Sequence, residues 1–157
     1  MDSKTNHLIK CINQISFFDG FSNTEKEKLV GRSGIFKKYE KQGVKIIKEG
    51  SKGKSLFVVF DGVLNITRIS FKGNLEKRVL LATLNKGSVF GEISMLSNSK
   101  RTTTVTTASP QVILMEVDKI TLESFDSDIQ NLFNKEMIAI LIQRLDDMNR
   151  KYIDAIS

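Results

Sequence analysis

The sequence predicts an α+β fold: an antiparallel, jelly-roll-like β-roll flanked by short N-terminal helices and a long C-terminal helix. Seven short β-prone runs lie between residues 35 and 117, and glycines separate them. Helical periodicity is found only before and after that region. With 157 residues, 40% of them hydrophobic and 27% charged, the chain has the size and composition of one domain with one core, so residues 1–157 are expected to fold as a single domain.

Residues 1–33 are expected to form the N-terminal helices. His7–Phe18 carries apolar residues at helical spacing, which predicts a first helix. Ser22, followed three residues later by Glu25, is a typical helix start and predicts a second short helix through Leu29.

Residues 34–117 are expected to form the β-roll. Short strands that follow one another at spacings of about ten residues, with glycine turns, are typical of a roll or sandwich rather than of a parallel sheet with crossover helices. The predicted strands are Ile35–Glu40, Val44–Lys48, Leu56–Asp61, Val63–Ile69, Arg78–Leu84, Thr102–Thr107 and Val112–Val117.

Residues 118–157 are expected to form the C-terminal helices, one short and one long, the long one over 128–156. The long helix carries a narrow stripe of apolar residues at alternating steps of three and four, namely Ile138, Leu141, Leu145, Met148 and Tyr152. Such a stripe predicts a homodimer through the C-terminal helix. The alternative is that the stripe folds back on its own domain.

Composition limits the classes of partner and the compartment. The formal net charge is +6, and the excess lies in the first 60 residues. It alternates with acidic and apolar residues, which favours a solvated basic face over a polyanion site. The single cysteine, the polar N-terminus and the short apolar runs predict a cytoplasmic protein without a membrane segment. Because the chain ends directly after the long helix, we also expect no DNA-binding region in it.

Few residues in the sequence are candidates for a catalytic role. The one histidine, His7, lies outside the predicted roll, so a metal cluster or a histidine-activated nucleophile is not expected. Gly53-Lys54-Ser55 resembles the end of a phosphate-binding loop, but Lys48 stands where that loop needs its first glycine. The sequence therefore predicts a protein that is not an enzyme and holds no metal.

The most informative segment runs from residue 90 to residue 105. It contains Phe90, Gly91, Glu92, Ile93 and Ser94, followed by Arg101, Thr102 and Thr103. A glycine lets the backbone approach a ligand, and an arginine offers forked donors to a phosphate, whereas a carboxylate repels phosphate but accepts from sugar hydroxyls. Glutamate and arginine should thus hold different ends of one ligand, which describes a nucleotide monophosphate.

At these residues the chain resembles the cyclic nucleotide-binding domain family. An upstream signature is formed by Ile46–Gly50, Gly53, Leu56–Val59 and Gly62, and residues 90–105 match the phosphate-binding cassette. The resemblance implies that Arg101 binds the exocyclic phosphate oxygens and Glu92 accepts from the ribose 2′-hydroxyl. It also implies that the backbone N–H groups of Gly91, Ser94 and Thr103, with the Thr102 hydroxyl, complete the cage.

Two further residues bear on affinity and base recognition. Thr103 stands where this cassette usually has alanine, and its β-branch is expected to crowd the cradle. By resemblance, Asn149 on the long helix is a candidate base contact, although a polar residue on an exposed helix face is the commoner meaning.

The resemblance implies a sensor of cAMP, or secondarily of cGMP, that couples binding to movement of its C-terminal helix. The alternative is a degenerate member without ligand, acting as a dimerisation or protein-interaction module.

Overall fold

In the computed structural model, which describes residues 2–92, 97 and 99–157, two four-stranded antiparallel sheets face each other and form the roll. The strands are β1 (Phe36–Tyr39), β2 (Lys45–Ile47), β3 (Ser55–Asp61), β4 (Leu64–Lys72), β5 (Leu75–Leu84), β6 (Val89–Phe90), β7 (Thr104–Thr107) and β8 (Val112–Asp118). One sheet has the order β1-β8-β3-β6 and the other β2-β7-β4-β5. This architecture confirms the predicted fold class.

Four strands differ from the prediction by two residues or more. β4 ends at Lys72 instead of Ile69. β5 begins at Leu75 instead of Arg78, because it pairs along its whole length with β4 across a tight turn at Gly73, where φ is 63°. β7 begins at Thr104 rather than Thr102, two residues after the point where the chain passes the pocket described below. The two-residue strand β6 was not predicted at all, since so short a segment shows no alternation.

The N-terminal region forms α1 (Ser3–Ile12), a 3-10 turn (Ser16–Phe18) and α2 (Asn23–Val30). The prediction of one helix over His7–Phe18 is wrong in its second half, because α1 ends at Ile12 and the chain forms a separate 3-10 turn over Ser16–Phe18. The 3-10 turn then directs Phe17 and Phe18 into the core. At α2 the predicted start is confirmed: Ser22 and Glu25 form a reciprocal capping box.

Two helices follow the roll, α3 (Lys119–Ser124) and α4 (Ser127–Ile156). The side chain of Asp126 caps α4 by accepting from the Ile129 N–H. Phe133 and Met137 are buried in the first half of α4, whereas the second half is exposed. No helix in the described part of the chain has the length and hydropathy that crossing a membrane requires.

Alternate side chains of β3 point into two separate hydrophobic cores. Leu56, Val58 and Phe60 face the core that contains α1, α2 and the first half of α4. Phe57 and Val59 face the interior of the roll. The helices are thereby fixed to the back of the sheet whose front face supports the pocket.

Candidate ligand-binding site

A pocket of about 250 Å³ opens between the β2-β7-β4-β5 sheet and the segments that precede β7 and follow β6. Its lining brings together six of the predicted site residues, Phe90, Gly91, Glu92, Arg101, Thr102 and Thr103, with Ile47, Ile66, Val105 and Arg144. Ile93 and Ser94 lie outside the described residues. Asn149 is exposed on α4 and does not line this pocket, so its contact with a base stays a prediction.

Arg101 is a buried cation in the pocket wall, with 7% of its surface exposed. Its guanidinium donates to the Gly91 carbonyl at 3.0 Å and to the Ser55 carbonyl at 3.1 Å. None of the ion pairs between described residues includes it. Burial lowers the pKa of Arg101, with Glu116 acting in the opposite direction. A buried guanidinium with spare donors and no carboxylate partner favours the binding of an anion.

Two glycines close around this guanidinium. A Cβ on Gly53 would lie 2.6 Å from the Arg101 Nε atom, and a Cβ on Gly91 would lie 2.6 Å from the Ser55 carbonyl oxygen. Gly91 also has a φ of 85°, a backbone conformation that residues with a side chain rarely adopt. These two positions therefore need glycine so that Arg101 fits between the two segments.

The backbone of Arg101 is held by the turn that follows β2. The Gly50 N–H donates to the Arg101 carbonyl at 2.7 Å, and the Arg101 N–H donates to the Ser51 carbonyl at 2.8 Å. Ser51, which follows the upstream signature residue Gly50, thus contributes through its main chain. The two signatures identified in the sequence meet in space through these bonds.

Glu49 fastens the same turn to β4, β5 and β7. Its carboxylate accepts from the Ile69 N–H, from the Thr104 hydroxyl at 3.1 Å and from Arg78 at 3.2 Å. Desolvation raises the pKa of Glu49, but these hydrogen bonds and the Arg78 charge outweigh it and lower the pKa overall. Glu49 is therefore a charged anchor beside the pocket that the sequence analysis did not single out.

Glu92 also lines the pocket, with 1% of its surface exposed. Its carboxylate forms an ion pair with Arg144 of α4. Neither carboxylate oxygen accepts a regular hydrogen bond from the described residues. Glu92 thus has one cationic partner and unused capacity to accept a hydroxyl.

Arg144 is a site residue that the sequence reasoning missed. Besides pairing with Glu92, it donates to the Val89 carbonyl at 2.9 Å, and burial lowers its pKa. Phe133, Met137, Ile140 and Arg144 follow one another at steps of four, three and four, so Arg144 continues the packed face of α4. The sequence signal that could have identified Arg144 is its position at the end of a stripe of apolar residues on the long helix.

The remaining walls are apolar. Ile47 and Val105 are buried beside the pocket, and Ile66 is half-buried. Phe90 stacks on Phe57 with ring centroids 4.8 Å apart. Among the described residues, no group of three or more His, Cys, Asp or Glu side chains is arranged to hold a metal ion. The site is suited to a small organic anion with an apolar ring system.

Comparison with known proteins agrees with this geometry. The cGMP-dependent protein kinase egl-4 of Caenorhabditis elegans is 26% identical over 125 residues, which are 80% of this chain and 16% of that protein. The cAMP-dependent protein kinase regulatory subunit of Neurospora crassa is 26% identical over 118 residues, covering 73% of this chain and 30% of that protein. The chain thus spans less than a third of the length of these curated relatives.

Among solved structures, the catabolite activator protein of Thermus thermophilus superposes with a TM-score of 0.73 at 22% identity, over 89% of this chain and 62% of that chain. This likeness shows the fold. A family model described as the cyclic nucleotide-binding domain matches residues 37–127. Because that segment covers more than half of the chain and contains both Glu92 and Arg101, the chain belongs to the cyclic nucleotide-binding domain family.

Proposed function

We propose that this domain binds a cyclic purine mononucleotide, cAMP in preference to cGMP, and that binding changes how α4 is held. The observation that carries the proposal is Arg101, a buried cation without a carboxylate partner among the described residues. Glu116 acts on Arg101 electrostatically but forms no ion pair with it, so an anionic phosphate can supply a directly bonded counter-charge. The domain serves as a regulatory module and not as a catalytic one, and the single buried cysteine suits a reducing, cytoplasmic setting.

Arg101 and Glu92 divide the ligand between them. Arg101 takes the phosphate, together with the Thr102 hydroxyl and the backbone N–H groups of Gly91 and Thr103. Glu92, whose oxygens have spare acceptor capacity, takes the ribose 2′-hydroxyl. A ligand that carries both a phosphate and a sugar hydroxyl can contact both side chains, which neither inorganic phosphate nor a nucleoside can do.

Base preference follows from the apolar wall. Ile47, Ile66 and Val105 offer contact surface but no hydrogen-bond partner. A base that binds there loses its hydrogen bonds to water and gains none from these side chains. Adenine loses less than guanine in that transfer because it carries no carbonyl oxygen. Thr102 is the hydroxyl available to a guanine amino group, and it supports the weaker binding of cGMP.

Coupling to α4 runs through Arg144. A ribose hydroxyl that donates to Glu92 shares this carboxylate with the Arg144 guanidinium and so weakens their ion pair. Weakening of that ion pair would leave the hydrogen bond to the Val89 carbonyl as the remaining polar contact with a described residue by which Arg144 holds α4 to the roll. The stripe on α4 is suited to carry the response to a second copy, since Ile138, Leu145 and Met148 are more than half exposed.

Calorimetric titration with cAMP and with cGMP tests the proposal. We expect saturable one-to-one binding, tighter for cAMP. Arg101→Gln should weaken binding by roughly 100- to 10,000-fold, because two charge-assisted hydrogen bonds of about 1.5–3 kcal/mol each are lost. Lys100→Gln is the matched control, since Lys100 is the exposed neighbour outside the pocket, and it should bind like the wild type.

Absence of heat with either nucleotide at millimolar concentration would contradict the proposal. It would favour the alternative of an interaction module without a ligand. Equal affinity of Arg101→Gln and wild type would overturn the assignment of the phosphate to Arg101.

A further inference from the structure

The hairpin of β4 and β5 extends beyond the body of the roll. The last β4 residue that pairs with β7 is Thr67, opposite Thr104. Beyond it, residues 68–72 and 75–79 pair only with each other, around the two-residue turn Gly73-Asn74. Every residue from 70 to 80 is exposed. The chain thus presents a narrow two-stranded ribbon to solvent.

The end of this ribbon is apolar on both faces. Phe71 is 70% exposed and Leu75 is 75% exposed. Phe71 lies opposite Glu76 in the register, and Lys72 lies opposite Leu75, so Phe71 and Leu75 point to opposite faces. A protein that docked on one face of the ribbon would leave the other apolar side chain in water.

Three basic residues lie beside this apolar tip on one face of the ribbon. Arg68, Lys72 and Lys77 share the face that carries Leu75, and none of them takes part in an ion pair with a described residue. Glu76 is the one acidic residue of the ribbon and lies on the other face. The tip therefore combines exposed apolar side chains with a positive charge, as membrane-binding surfaces do.

We propose that the tip of the β4–β5 hairpin inserts into an anionic lipid surface. Insertion end-on buries Phe71 and Leu75 together, which docking on a single face cannot do, and it brings Lys72 and Lys77 to the level of the head groups. Lysine stems can lie along the apolar region while their ammonium groups stay at the phosphates. An anionic bilayer therefore matches the narrow shape and the positive charge of the hairpin tip better than a flat protein surface does.

Co-sedimentation with large unilamellar vesicles tests this proposal without any nucleotide. One set is pure phosphatidylcholine, and the other contains phosphatidylserine at about 30 mol%, to supply the anionic surface potential. We expect binding to the second set, weakened by raised ionic strength because the lysine contribution is screened.

Two variants separate the apolar and the charged parts. Phe71→Ser combined with Leu75→Ser should lower vesicle partitioning on the order of 100-fold, since two large side chains no longer leave water. Lys72→Glu combined with Lys77→Glu should lower it by about 25-fold or more, at about fivefold for each lysine. All four side chains are exposed, so circular dichroism should show an intact fold.

Matched controls lie elsewhere on the surface. Ile120→Ser removes an apolar side chain that is 80% exposed on α3, and Lys135→Glu reverses an exposed charge on α4. Both should bind vesicles like the wild type. The proposal is overturned if the wild type fails to prefer the anionic vesicles, or if both hairpin variants still bind them. It is also overturned if sedimentation velocity shows that Phe71 and Leu75 hold two copies of the chain together instead.

Discussion

The ion pair between Glu92 and Arg144 offers the sharpest test of how α4 is attached to the pocket. Removing one partner of a fully buried pair costs about 3–5 kcal/mol, because the other charge stays buried without compensation. Glu92 is almost fully buried, but 44% of the Arg144 side chain is exposed, so water screens part of the interaction. We expect Arg144→Ala to lower the free energy of unfolding by about 2–3 kcal/mol, including about 1 kcal/mol for the hydrogen bond to Val89.

A double-mutant cycle isolates the ionic part. In a Glu92→Gln background the buried charge is gone, so Arg144→Ala should cost only the hydrogen bond to Val89 and some packing, about 1 kcal/mol. Urea denaturation of the four proteins at neutral pH then gives a coupling energy of about 1–2 kcal/mol. Saturating cAMP should reduce this coupling, since the ribose would occupy Glu92.

Additivity of the two substitutions within about 0.3–0.5 kcal/mol would refute the reasoning. It would mean that the pair contributes nothing to the attachment of α4. A coupling that cAMP leaves unchanged would keep the structural role of the pair but separate it from ligand binding.

Three other predictions address ligand linkage, helix capping and association. At a cAMP concentration of about 100 times Kd, the native state should gain about 2.7 kcal/mol, which thermal scans should record as a rise in Tm of about 5–10 °C; no shift would indicate no binding. Ser22→Ala should lower stability by about 1 kcal/mol because the reciprocal cap of α2 is lost, whereas Thr24→Ala, on the same exposed turn, should change it little. Leu145→Glu should convert a dimer into a monomer with an intact roll in analytical ultracentrifugation, whereas destabilisation without a change in mass would show packing within one chain.

The roll and most of the residues that line the pocket could be predicted because their signals are local. Glycines at 43, 50, 62 and 73 mark turns, and each has a positive φ. The cassette places Glu92 and Arg101 nine residues apart, close enough for one sequence pattern to show both.

Contacts over long sequence distances could not be predicted in this way. Arg144 reaches Val89 across 55 positions, and Glu49 reaches Thr104 across 55 positions. The end of α1 at Ile12 depends on how Phe17 and Phe18 pack, which no helical period reveals. The outer part of the hairpin was not predicted because the consecutive charged residues Glu76 and Lys77 interrupt the alternation of apolar and polar side chains that marks a half-buried strand.

The position of β3 between the two cores governs how the domain responds to heat. Its side chains are buried on both faces, so neither core can come apart without exposing the strand that lines the other. The helical layer at the back of the sheet and the pocket at its front should therefore melt in one transition, with calorimetric and van't Hoff enthalpies that agree. A molecule that tightens the pocket should, for the same reason, slow amide hydrogen exchange beneath α1 and α2, far from any atom that it touches.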